Sequence, residues 1–181
     1  MMLRREAREP DPPRLLGSGL PGPRDASPGA TPFEDYGKAF VAGFLSTLVF
    51  HQGVLTLLWL SGAIPRTPYD MTPTRPLGLP AVVSLALWGG VWGAVIWPWV
   101  RKRTGRANWA RALLIGALFP SAVALLVVFP LKGMPVAGAW DPRIIVGALV
   151  LNGAWGLGLA FFTGIAHRST RHGAVPIEST K

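Results

Sequence analysis

The sequence has no cysteine, two tyrosines and nine acidic residues in 181. Without cysteine there is no disulfide framework, no thiolate metal site and no thiol nucleophile. Acids are missing where chemistry inside an apolar domain would need them. Residues 39–64, 81–100, 112–129 and 144–166 contain no Asp, Glu, Lys or Arg, so no buried carboxylate pair is available for acid–base work. Of the three histidines, only His51 lies deep within such a stretch; His167 and His172 belong to its far edge and tail. One histidine completes neither a metal site nor a bis-histidine haem site within a chain. Pairing His51 with Ser46 or Ser121 finds no nucleophile motif, and Ser46 lies five residues away on another helix face. The sequence therefore predicts no catalytic set, no metal, no cofactor and no enzyme.

What is present is apolar and segregated. Half of the residues are hydrophobic and 15% are charged, against about 25% charged in an average soluble domain. Each charge-free stretch is close to the roughly 20 helical residues that cross a hydrocarbon core of about 30 Å. Runs such as residues 122–129 do not alternate as barrel strands do. The fold class predicted is thus all-α: a polytopic membrane protein with four transmembrane helices in a compact bundle. Residues 37–166 form that domain, between a Pro/Gly/Arg-rich disordered tail at 1–36 and a short tail at 167–181.

Orientation follows from the cations. The amino-terminal segment, the 101–111 link and the carboxy-terminal tail hold fourteen of the eighteen basic residues. The positive-inside rule then makes both termini and the middle link cytoplasmic. Residues 1–34 lack the apolar core of a signal peptide, so the first span is expected to act as an uncleaved anchor. The pI of 11.3 reads as a topology signal, and no nucleic-acid partner is predicted.

Small residues recur every four positions within the spans. Gly43 in the first, Gly89, Gly90 and Gly93 in the second, and Gly153 and Gly156 in the fourth are the predicted packing positions, because lipid gives helices no hydrophobic reason to associate and close backbone approach must do so. Gly89 and Gly93 also fit a homodimer contact. Pro120, near the middle of the third span, is predicted to kink it. The tetrapeptides at 90–93 and 153–156, Gly-Val-Trp-Gly and Gly-Ala-Trp-Gly, suggest two parallel copies of one helical hairpin.

The remaining interest lies in neutral polar groups at mid-span: Thr47, His51, Gln52 and Asn152. Such groups are costly in lipid unless they face the bundle interior and find partners. One reading makes them a hydrogen-bonded clamp, with Asn152 meeting His51 or Gln52 across the interface. The other makes His51 a ligand or proton-relay site. The proline-rich segment 65–80 is expected to be a stiff, extended connector that caps the bundle or presents Tyr69, Asp70 and Arg75.

Phe50-His51-Gln52-Gly53, the proline-rich loop leading into Leu85-Ala86-Leu87-Trp88-Gly89-Gly90, and Asn152-Gly153-Ala154-Trp155-Gly156 resemble a group of small proteobacterial membrane proteins of unknown function. The resemblance covers residues 38–163 and implies four spans in a bacterial inner membrane, with no activity to carry over. Two functions are consistent with these features: an accessory or scaffold component with the bilayer and a membrane-protein partner, and a small homo-oligomeric channel or transporter with His51, Gln52 and Asn152 in its path.

Overall fold

The computed structural model describes residues 32–101 and 105–172. Four helices are long and apolar enough to cross a membrane: α1 (Phe33–Leu60), α2 (Ala81–Val100), α3 (Arg106–Leu131) and α4, which runs Pro142–His172 with its apolar part at Pro142–Ile165. Two strands of two residues, β1 (Pro73–Thr74) and β2 (Leu79–Pro80), form a small antiparallel ladder in the α1–α2 loop. The all-α bundle is therefore present, and the second span has the predicted bounds. α1 and α3 start six residues before their charge-free stretches, because a helix does not stop at Lys38 or Arg111. Long cationic side chains can reach past the apolar zone while their backbone stays helical. The predicted amino-terminal tail lies outside the described residues, apart from 32–36, which are helical; beyond 166, helix continues to His172, and 173–181 also lie outside them.

α1 and α3 end in the same way. Gly62 follows α1 with φ of 74°, its N–H bonds Trp59 O, and Ala63 N–H bonds Leu58 O; Gly133 follows α3 with φ of 71°, bonding Pro130 O, while Met134 bonds Phe129 O. Both are Schellman caps, in which glycine takes the left-handed conformation and the last carbonyls are satisfied. The carboxy-terminal ends of α1 and α3 are thus closed by backbone alone.

Packing follows the order α2, α1, α4, α3, with α2 and α3 outermost. Within the α1–α2 hairpin, a Cβ on Gly43 would run into the Gly89 carbonyl, and one on Gly93 into the Ala39 carbonyl. Within the α3–α4 hairpin, a Cβ on Gly156 would strike the Ala112 carbonyl, and one on Gly116 would lie 2.7 Å from the Gly156 Cα. Gly93 therefore sits against Ala39 and Gly43 as Gly156 sits against Ala112 and Gly116: the two hairpins close in one register. Each first helix also contains a π turn, Thr47–His51 in α1 and Ala124–Val128 in α3. α3 continues through Pro120, and its departure from α geometry comes one turn later.

All four helices meet in a core of Ala42, Ile96, Val100, Ala112, Trp155, Leu159 and Ala160, flanked by Trp92, Ile115 and Phe162. Gly90 leaves room for the Phe40 ring and Gly153 for the Leu113 methyl. Gly43→Val and Gly156→Val should each lower stability by about 1–3 kcal/mol through overpacking, whereas Gly53→Ala, with nothing within 4 Å of the new Cβ, should leave it unchanged or raise it by up to about 1 kcal/mol. Unfolding in mixed detergent micelles measures both.

Candidate functional site

Three arrangements join polar side chains of the spans to a neighbouring element, while Thr56 and Thr163 bond back to carbonyls of their own helices. The first joins α1 to α4. Ser46 Oγ–H donates to the Trp155 carbonyl, and Trp155 Nε1–H donates back to the Gly43 carbonyl at 2.9 Å. Thr47 Oγ1–H donates to the same Gly43 oxygen at 3.2 Å. A carbonyl has two lone pairs, and this one is reachable because residue 43 has no side chain to cover it. Ser46, Thr47 and Trp155 are all buried, so an indole N–H without an acceptor would be costly there. On the α2 side, a Cβ on Gly89 would meet Thr47 Oγ1 and lie 3.1 Å from Trp155 Nε1. Three helices therefore converge on one backbone oxygen.

The second arrangement joins α3 to α4. Asn152 Nδ2 donates to Ser121 Oγ at 3.0 Å, and the Ser121 hydroxyl donates to the Ala148 carbonyl at 3.0 Å. Asn152 thus goes to α3 and not to α1.

The third joins α1 to the loop. Gln52 is 3% exposed, and its Oε1 accepts the Tyr69 N–H at 2.8 Å. Tyr69 Oη–H donates to the Leu48 carbonyl at 3.0 Å. That carbonyl lies in the π turn, where the Gln52 N–H bonds Thr47 O, five residues back, and Val49 O, three back, and passes over Leu48 O. The proline-rich segment is accordingly not extended throughout. It folds into the β1–β2 ladder and is tied to the start of α2 by Val82 N–H to Asp70 O and Ala81 N–H to Thr72 O. Its prolines favour extended residues locally, but glycine at 78, with φ of 68°, reverses the chain. Hydrogen bonds from the side chain and N–H of Thr72 hold the Asp70 carboxyl below its usual range, and the Arg66 charge adds to them.

His51 joins none of these. Its Nδ1 is buried without a hydrogen-bond partner, while its neighbour Phe50 packs on Phe161 and Phe162 with ring centroids 5.7 and 6.0 Å apart. The structure therefore distributes the four mid-span polar residues: Thr47 to the Gly43 oxygen, Asn152 to Ser121, Gln52 to Tyr69, and His51 to no partner. Trp155 and Tyr69 were not among the residues singled out from the sequence for polar bonding. The signal for Trp155 is its mid-span position, since membrane tryptophans otherwise favour the interfaces. Among the described residues no group of three or more His, Cys, Asp or Glu could hold a metal.

Trp155→Phe removes the donor together with one of the two fused rings, so a cavity cost in the buried core adds to the lost bond. It should cost more than about 0.6 kcal/mol, the average for a hydrogen bond between membrane helices, in the same unfolding measurement. Ser46→Ala removes only the hydroxyl and its bond and should cost about 0.6–1.7 kcal/mol, from the average to the largest value for such bonds. No family model, curated protein or solved structure matches the chain.

Proposed function

We propose that the chain is a non-enzymatic accessory or scaffold component of a bacterial inner membrane, with both termini and the 101–111 link on the cytoplasmic side. The observation that carries this reading is how the mid-span polar groups are spent. Ser46, Trp155, Ser121 and Asn152 bond to backbone or to one another between neighbouring helices, and Thr47 bonds back within α1, which fixes register and does not line a path. Their work is structural, so what remains for contact with other molecules is the outer surface. On α2 that surface exposes Trp88, Val91, Val95 and Trp99, and on α3 Leu114, Leu118 and Phe119. Apolar outer faces of this kind suit lipid and the spans of other membrane proteins.

A second reading, a small oligomeric channel or transporter, is favoured by one observation: the buried Nδ1 of His51 lacks a partner. Ionisable side chains within membrane spans commonly mark ion or substrate paths. Purification from native membranes in mild detergent separates the two. The accessory reading predicts a membrane protein retained at fixed stoichiometry and no solute or proton flux in vesicles holding this chain alone. A homo-oligomer whose flux disappears on His51→Leu would contradict it. Reporter fusions test the topology: fusions after residue 70 should report the periplasm and fusions at 105 the cytoplasm, and the reverse pattern would refute the charge argument.

A further inference from the structure

We infer that the π turn of α1 is a two-state element held in its wide form by Tyr69, so that the α1–α2 loop and the mid-span pair His51–Gln52 move as one unit. A π turn accommodates one residue more than regular α geometry, and such turns recur at functional positions. In α1 the excess is visible in the Gln52 N–H, which bonds Thr47 O and Val49 O and skips Leu48 O between them. The Leu48 oxygen so released faces out and takes the Tyr69 hydroxyl at 3.0 Å.

If Gln52 N–H returned to Leu48 O, the turn would tighten. That carbonyl would tip back along the helix axis, away from the hydroxyl, and the residues beyond would turn by about 100° and shift by about 1.5 Å for the one residue involved. The change would fall on the far half of α1. Its near half is fixed where Gly43 meets Gly89 and Gly93 and where Trp155 bonds Gly43 O. Gln52 would then turn its amide away from the Tyr69 N–H. Both Tyr69 bonds, through its hydroxyl and through its backbone, are therefore made in the wide form alone.

Two further features fit a strap. Tyr69 has φ of 50°, in the left-handed region that an aromatic residue seldom enters, so releasing the two bonds also releases a disfavoured backbone. The far end of the strap is anchored to α2 through Asp70 O and Thr72 O, so a pull on the loop reaches α1 through Tyr69. His51, the last residue of the turn, moves with it, and its partnerless Nδ1 adds no bond that would hold it back. The π turn of α3, Ala124–Val128, receives no side-chain hydrogen bond among the described residues, which makes it an internal control.

Hydrogen exchange read by mass spectrometry on the full chain in lipid nanodiscs tests the strap. Tyr69→Phe removes only the hydroxyl, and Gln52→Met removes the acceptor at similar volume. Each should speed exchange at residues 49–55 about fivefold, the loss of one net hydrogen bond, while 39–46 and 120–128 keep the parent rates. Unchanged rates at 49–55 in both variants would overturn the inference, as would equal acceleration through 39–46, which would mark general loosening. Deleting Val49, an exposed residue of the turn, removes the excess residue directly. The deleted chain should stay folded, with 52–60 protected at least as well as in the parent and no longer sensitive to Tyr69→Phe. A deletion that leaves 52–60 less protected would count against the two-state turn.

Discussion

The carbonyl oxygen of Gly43 is the point on which the arrangement of the helices depends. In a bilayer, apolar side chains gain nothing by leaving lipid for one another, so helices associate through close packing and a few polar contacts. Gly43 supplies both at one place. Its bare backbone lets α2 come close enough for Gly89 and Gly93 to touch it, and its oxygen receives Trp155 from α4 and Thr47 from α1 itself. A side chain at residue 43 would push α2 away. The reciprocal bond from Ser46 to the Trp155 carbonyl then sets the height of α4 against α1. Because α1 and α4 are the inner pair, this junction is also what joins the two hairpins.

Each hairpin on its own is closed by a simpler device, glycine or alanine backbone against glycine backbone, used twice in the same register. The difference between them lies in what the polar residues add. α3 and α4 are tied by Asn152 and Ser121 within the hairpin, whereas α1 spends its polar residues on α4 and on the loop. A single hairpin design thus acquires two roles, one outward and one toward the centre. His51 stands apart from these ties, and its Nδ1 keeps unspent bonding capacity.

Much of this frame was legible in the sequence, and the reasons are physical. Charge-free stretches of about 20 residues have few alternatives to a spanning helix, and glycines at four-residue spacing must share a face. The expected joining of Asn152 to His51 or Gln52 was a different kind of statement. It needed the rotation of each helix and the order α2, α1, α4, α3, and neither is encoded in a run of apolar residues. The π turns were likewise invisible, because Thr47–His51 and Ala124–Val128 carry no local composition that distinguishes them from α-helix. The loop misled for a local reason: prolines at 65, 68, 73, 76 and 80 argue for extension one residue at a time. The two bonds of Tyr69 to α1 are tertiary and override them. Trp155 could have been noticed, since it is an indole placed away from both interfaces.

Gly89, Trp155 and the Gly43 oxygen thus act as one cooperative junction and not as three independent contacts. A double-mutant cycle on Gly89→Ala and Trp155→Phe, read as unfolding free energy in mixed micelles, tests it most directly. Contacts that share a partner should couple by about 0.5 kcal/mol or more, so the double variant should lose clearly less stability than the two single losses added together. Strict additivity would contradict the account.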